Sequence, residues 1–310
     1  MDGFIGSNLA REFKLVGAKV YGIDRVKDNY RVQQFLDGHL HKPIQDYDCI
    51  EFIKNIQPTV VVHCASDIQV GESVQDPGKY YDNNVGGTVT FLEYIRQACD
   101  TLPLVLFSSS AGVYGNPPNG APATEQSPTQ PINPYGQTKL MVETILQHYS
   151  QAYGMNSVCF RYFNAAGASE LGQKPGATHI IARALEAKLH NKKFTIFGKE
   201  YPTKDGTCLR DYIHVTDIAN AHILAVMANK QGHSVFNLGT GQGATNKEIV
   251  DTITNEIGKF DYDYGPVRAG DPAALVANAT LIRDELNWVP KHSDLNNIII
   301  SAWKWYNLRE

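Results

Sequence analysis

Four short apolar runs, Lys19–Asp24, Thr59–Ala65, Leu102–Ser109 and Ser157–Phe163, set the limits on how this chain can fold. β-Branched residues recur among them, and each run is apolar along its length rather than at alternate positions, the pattern of a strand buried on both faces. Longer helical patterns separate the runs, so the reading is α/β: a doubly wound, Rossmann-type parallel sheet with helices on either side. After Phe163 the regularity gives way to loops with Gly and Pro, broken by a helix at Thr178–His190, a strand at Phe194–Phe197 and a helix at Asn296–Leu308. Residues 1–163 therefore read as a nucleotide-binding domain and residues 164–310 as a smaller C-terminal substrate lobe. A strand at 234–238 is expected to return to the first sheet.

A chain of 310 residues can bury a large core, and with 43% hydrophobic and 19% charged residues it has the profile of a globular protein without a disordered tail. The net charge of -4, with no run of Lys and Arg, supplies no field for a phosphate backbone, so nucleic acid is not an expected partner. Cys49, Cys64, Cys99, Cys159 and Cys208 are widely spaced and form no C-x-x-C pair, which points to free thiols in a reducing compartment. His39-x-His41 lacks a second ligand cluster, and no metal is expected. No stretch reaches the roughly 20 apolar residues of a membrane span, and no leader pattern opens the chain. The expected location is cytoplasmic.

The opening Gly3-Phe4-Ile5-Gly6 reads as the second half of a glycine-rich loop entering a helix, whose amides and positive dipole end suit a pyrophosphate. Two glycines before a helix also describe an ordinary turn. What tips the reading is Asp24 at the end of the next strand, where a carboxylate accepts hydrogen bonds from adenosine ribose hydroxyls and repels a 2′-phosphate. NAD is favoured over NADP, with Arg25 as the neighbouring cation.

The sharpest motif is Tyr135-Gly136-Gln137-Thr138-Lys139, downstream of Ser108-Ser109-Ser110. Tyr and Lys four apart share a helix face, so the ammonium can lie close to the phenol and favour its ionised form. A phenol of ordinary pKa near 10 is a poor base at neutral pH, so a charge partner and a serine hydrogen bond are what proton abstraction requires. The serines end the Leu102–Ser109 strand, where doubly wound folds bind ligands.

These motifs, with His63-Cys64-Ala65, Val70-Gly71-Glu72-Ser73, Tyr80 to Val85, Ser108 to Gly115, Tyr135 to Met141, Arg161-Tyr162-Phe163-Asn164, Tyr201-Pro202-Thr203, Asp205-Gly206-Thr207, Arg210 to Val215, Asn237-Leu238-Gly239 and Gly270-Asp271, resemble the extended short-chain dehydrogenase/reductase family. The likeness covers nearly the whole chain and is strongest to the UDP-hexose 4-epimerases of that family. It implies that Tyr135 is the base for the sugar 4-hydroxyl, Ser110 its hydrogen-bonding partner, and Lys139 the residue that holds the nicotinamide ribose. NAD would take hydride from C4, and the 4-keto sugar would turn over and receive it on the other face, converting UDP-galactose to UDP-glucose. Gly3, Phe4, Ile5, Gly6, Asp24, Ile44, Ala65, Asn84, Ser108 and Tyr162 would join Tyr135 and Lys139 at the cofactor. Asn164 and Arg210 would hold the diphosphate, and Phe197 and Arg268 the uridine and a second charge. Asp271 and Leu275 would line the sugar side, with the branched Leu275 favouring UDP-glucose and UDP-galactose over N-acetylated sugars. As plain structure, Arg210 and Asp211 would be an ion pair and Phe197 a core aromatic. A homodimer is implied as well, through a four-helix bundle built from the helix after Tyr135 and the one beginning near Asn84, with Leu140, Val142, Ile145 and Leu146 among its apolar positions. Those positions could equally face the chain's own sheet.

Three departures stand against the family pattern. Ile68 occupies a position where a lysine usually touches the cofactor. Pro43 and Ile44 align where an Asp receives the adenine amino group, unless a gap moves that match to Asp46. Met1 stands at the loop's first glycine, so the chain reads as N-terminally truncated, its first strand missing from between those matching Lys19–Asp24 and Thr59–Ala65. The expectation is weak NAD binding and reduced stability. Two other readings remain open at this point: an inactive or incomplete paralogue that binds nucleotide sugar or a partner without turnover, and a 4-epimerase of a different UDP-sugar.

Overall fold

The computed structural model describes residues 3–26, 30–117, 120–173, 179–267 and 272–308. Its strands run, in chain order, β1 (Tyr21–Ile23), β2 (Gly38–Leu40), β3 (Val60–His63), β4 (Leu104–Ser110), β5 (Ser157–Tyr162), β6 (Asn164–Ala166), β7 (Phe194–Phe197), β8 (Leu209–His214), β9 (His233–Leu238), β10 (Gly243–Thr245), β11 (Tyr262–Gly265) and β12 (Ala274–Leu275). The four apolar runs are β1, β3, β4 and β5, each within two residues of its expected ends where it is not shorter. The chain divides into two compact units, one of Met1–Gly115, Thr129–Arg161 and Ala219–Phe236, the other of Asn116–Pro128, Tyr162–Ile218 and Asn237–Glu310.

In the first unit β3, β4, β5 and β9 form one sheet in that order, and β3 runs parallel to β4 with Val61 opposite Val105. The returning strand is thus β9, against β5. β1 and β2 form a separate parallel pair, and no strand among the described residues bonds to both sheets. Continuous hydrophobicity is explained by burial on both faces: Val105 and Phe107 of β4 pack under helices, and Leu106 between them is equally buried. The covering helices contribute Cys49 and Ile53 (helix Asp48–Ile56), Phe91, Leu92 and Ile95 (helix Gly87–Ala98), and Val142 and Leu146 (helix Pro134–Tyr153). Burying each large apolar side chain contributes about 1.5–3 kcal/mol. Val142 and Leu146 therefore belong to this chain's own core and not to a partner helix, whereas Leu140 and Ile145 keep part of their surface.

The second unit centres on β8, which pairs with β10, β12 and β6, and β7 pairs in parallel with β11. Helices Ile180–Leu189, Asn246–Ile257 and Leu295–Asn307 close one core around Leu185, Ile253 and Ile299. The middle helix starts at a capping box, in which Thr245 and Glu248 satisfy each other's backbone amides.

Candidate active site

The three serines end β4, and the Ser110 hydroxyl accepts the Gly112 amide hydrogen at 3.1 Å, turning the chain into a single 3₁₀ turn at Ala111–Tyr114. Opposite that turn, Asn133 caps the helix Pro134–Tyr153 by accepting the Gly136 amide at 2.9 Å, and Pro134 presets its first residue. The helix comes so close that a Cβ on Gly136 would lie 2.6 Å from the Gly112 carbonyl oxygen. Glycine at that position lets Tyr135 reach β4, and its phenol shares a hydrogen bond with Ser110. One turn on, the buried Lys139 donates to the Ser108 carbonyl at 2.7 Å and the Ser66 hydroxyl at 2.8 Å.

The electrostatics differ from the sequence expectation. The Lys139 ammonium was to pull the Tyr135 phenol below its ordinary pKa; instead burial pushes the phenol up, against the opposing pull of the Ser110 hydrogen bond. Burial likewise drops Lys139 to about 8, because a dry site disfavours its charged form. Its Nζ lies 5.7 Å from the Tyr135 ring centroid and is engaged by Ser66 and Ser108. In this arrangement desolvation outweighs charge pairing.

Behind the Ser–Tyr–Lys group lies a buried ionic layer that sequence reading missed. Glu143 accepts from the Ser109 hydroxyl at 2.5 Å and binds Arg161 of β5 in a fork, at 3.0 and 2.7 Å. Arg161 also donates to the Tyr114 hydroxyl at 2.9 Å and lies over the Tyr114 ring. The signal was present: Glu143 follows Lys139 by the same four-residue step that separates Lys139 from Tyr135, so all three share a face.

At the cofactor end Gly3 stands at the N-cap of the helix Phe4–Leu15 in an extended conformation and, lacking a side chain, makes no side-chain cap bond. Phe4, Ile5 and Gly6 form the first turn, partly buried. Asp24 follows β1 and accepts the Val26 amide hydrogen at 3.0 Å. Ala65 lies just past β3, Ile44 is buried in the core beneath it, and Ser108 is buried at the end of β4. Asn84 sits in a π-helical turn, Tyr81–Gly86, an irregularity often found at functional sites. Its amide is committed to the loop after β3: it accepts from the Asp67 amide at 2.8 Å, and donates to the Asp67 carbonyl at 3.0 Å and to Thr138 at 3.1 Å. Ile68 beside it is 67% exposed, so no cationic contact stands there. An uncapped, glycine-led helix start and a strand-end carboxylate together fit the pyrophosphate and ribose of a dinucleotide. His39 and His41 stack edge to face at 4.5 Å, and no metal-holding cluster exists among the described residues.

In the second unit, β8 gathers three of the expected substrate residues. Leu275 of β12 is in register with Arg210 of β8, and Asn164 of β6 donates to the Asp211 carbonyl at 3.1 Å. The Asp211 carboxylate is held by the Thr240, Gly241 and Ala277 amides and the Thr240 hydroxyl, and burial raises its pKa. Asp211 is thus a structural anchor for the β8 sheet. Phe197, at the end of β7, is partly buried with the Arg183 guanidinium 5.8 Å from its ring centroid. Tyr162 is buried at the end of β5. Arg268 and Asp271 lie outside the described residues.

Parallel sheet, glycine-led helix start, strand-end acid and Ser–Tyr–Lys group define a nucleotide-dependent enzyme of the dehydrogenase-like class. The chain belongs to the NAD dependent epimerase/dehydratase family, whose profile matches residues 1–239. It is 39% identical to a UDP-glucose 4-epimerase of Lactobacillus helveticus, across 98% of this chain and 94% of that protein. Among solved structures, it resembles UDP-glucose 4-epimerase from Brucella ovis in complex with NAD, with TM-score 0.92 and 40% identity over 98% of this chain and 95% of the other. It also resembles the UDP-Glc/GlcNAc 4-epimerase of Campylobacter jejuni, with TM-score 0.84 and 34% identity over 99% and 97%.

Proposed function

We propose that this protein inverts C4 of UDP-galactose to give UDP-glucose, as an NAD-dependent UDP-sugar 4-epimerase. The observation that carries the reading is the joining of Ser110, Tyr135 and Lys139 at the carboxyl end of a parallel strand, supported by the likeness to 4-epimerases along nearly the full chain. The Tyr135 phenol, steadied by Ser110, takes the proton of the sugar 4-hydroxyl and later returns it to the opposite configuration. Lys139, on the same helix face with its Nζ 5.7 Å from the Tyr135 ring centroid, anchors the nicotinamide ribose. When bound, NAD would supply a reversible hydride acceptor at the sugar. Gly3 to Gly6 would hold its pyrophosphate and Asp24 its adenosine ribose. Arg210 and Asn164 grip the UDP diphosphate, Phe197 contacts the uridine, and Leu275 limits the size of the sugar. The intact Ser110, Tyr135 and Lys139 argue against an inactive paralogue.

The working form is a cytoplasmic homodimer. Five free cysteines agree with a reducing setting, and among the described residues no helix is long and apolar enough to cross a membrane. A coupled assay with UDP-galactose tests the activity, and Tyr135→Phe tests the base. Removing one hydroxyl should lower kcat by about 100-fold or more while leaving UDP-sugar affinity nearly unchanged. A variant that keeps a tenth of the wild-type rate rules Tyr135 out as the base.

A further inference from the structure

Arg25 stands directly after the strand-end acid Asp24, where an arginine in a dinucleotide site can match the 2′-phosphate of NADP. In this protein its guanidinium is engaged elsewhere. Arg25 donates at 2.6 Å to Oδ1 of Asp67, on the loop after β3, in a pair whose side chains are 53% and 9% exposed. The Asp67 backbone is fixed on both sides by Asn84, so the carboxylate cannot follow Arg25 outward without breaking two buried hydrogen bonds. The other carboxylate oxygen, Oδ2, is buried with no hydrogen-bond partner among the described residues. A carboxylate that dry holds its cation firmly, because separating the two leaves a buried charge uncompensated. The next acid along, Glu72, feels Arg25 but is taken by Lys79 at 2.7 Å and the Tyr80 hydroxyl at 2.8 Å.

We infer that Asp67 is a cofactor-selectivity residue: by retaining Arg25 it withholds that guanidinium from a 2′-phosphate, so that Asp24 alone meets the ribose and NADP is rejected. This rests on the placement of NAD proposed above. Selectivity would then be set from a different loop than the one that touches the ribose. Asp67→Asn keeps the shape and both Asn84 bonds, removes the charge, and releases an arginine already poised beside the ribose site.

Titration of nucleotide-free protein with NAD and NADP, followed by intrinsic fluorescence, reads the effect without turnover. In Asp67→Asn the Kd for NADP should fall by about tenfold, the worth of a new charge-assisted phosphate contact, while that for NAD changes by less than about threefold. Adding Arg25→Ala to Asp67→Asn should abolish the gain. An unchanged NADP-to-NAD ratio in a variant that still binds NAD overturns the role of Asp67, as does a gain that survives Arg25→Ala. Wild-type protein that binds NADP as tightly as NAD overturns it without any variant, and wild-type protein that binds neither overturns the cofactor placement along with it.

Discussion

Lys139 is charged in a place that disfavours charge. Its pKa falls from an ordinary 10.5 to about 8 through burial. A lysine that releases its proton more readily in the fold than in the unfolded chain weakens folding wherever both states are protonated. That penalty fades as pH rises from about 8 to 10.5, because in this window the unfolded chain binds more protons. Lys139→Met isolates the effect: the melting temperature of the wild type should gain on that of the variant across the window, and a constant difference contradicts the burial-driven shift. Leu275 offers a second test. It sits opposite Arg210, partly buried, and with the role proposed for it above, trimming it should enlarge the space for the sugar. Wild type should prefer UDP-galactose to UDP-N-acetylglucosamine in kcat/KM, and Leu275→Ala should improve the larger substrate by about tenfold relative to the smaller. Equal kcat/KM on both sugars in the wild type would remove Leu275 as the size limit.

Between elements, the site depends on how the helix Pro134–Tyr153 registers against β4. Tyr135, Lys139 and Glu143 each meet one of the three serines, through Ser110, the Ser108 carbonyl and the Ser109 hydroxyl. Glu143 and Arg161 are 5% and 6% exposed, so removing either leaves the other's buried charge without its opposite charge. Glu143→Leu should destabilise the protein by about 3–5 kcal/mol in urea unfolding, and Glu143→Leu with Arg161→Met should recover most of that loss. Equal losses in the single and double variants would show that the pair contributes only packing. This layer also marks where sequence reading stopped. The long apolar strands and the Tyr–Lys spacing announce themselves because burial and helix periodicity act on neighbouring residues. Glu143 shares a helix face with Tyr135 and Lys139, but its partner Arg161 stands on another element, and the two meet only through tertiary packing. The short strands β6, β10 and β12 were equally silent, since their pairing with β8 and not their own composition makes them strands. The π-turn that aims Asn84 at Asp67 has no propensity signature at all.

Across the whole molecule, the two helices expected at a subunit interface do lie side by side. Tyr149 donates to Glu93 at 2.8 Å, and the Arg96 guanidinium stands 5.1 Å from the centre of the Tyr153 ring. Val142 and Leu146, two of the four apolar positions named for an interface, are turned into the chain's own core beside Phe91, Leu92 and Ile95. Leu140 and Ile145 remain partly buried, and Tyr153 is 49% exposed. A two-fold axis would set this strip against its own copy, so each residue counts twice, and a stable pair needs about 1,600 Å² buried in total. Thr144 lies exposed on the same helix, one turn beyond Leu140, with its hydroxyl bonded back to the Leu140 carbonyl. Thr144→Arg would bring two like charges together across the axis without disturbing the core below. Light scattering at micromolar concentration should give twice the 34.3 kDa chain mass for the wild type and a single chain mass for Thr144→Arg. A wild type at single-chain mass would refute the dimer, and a Thr144→Arg variant at the doubled mass would move the interface to another face.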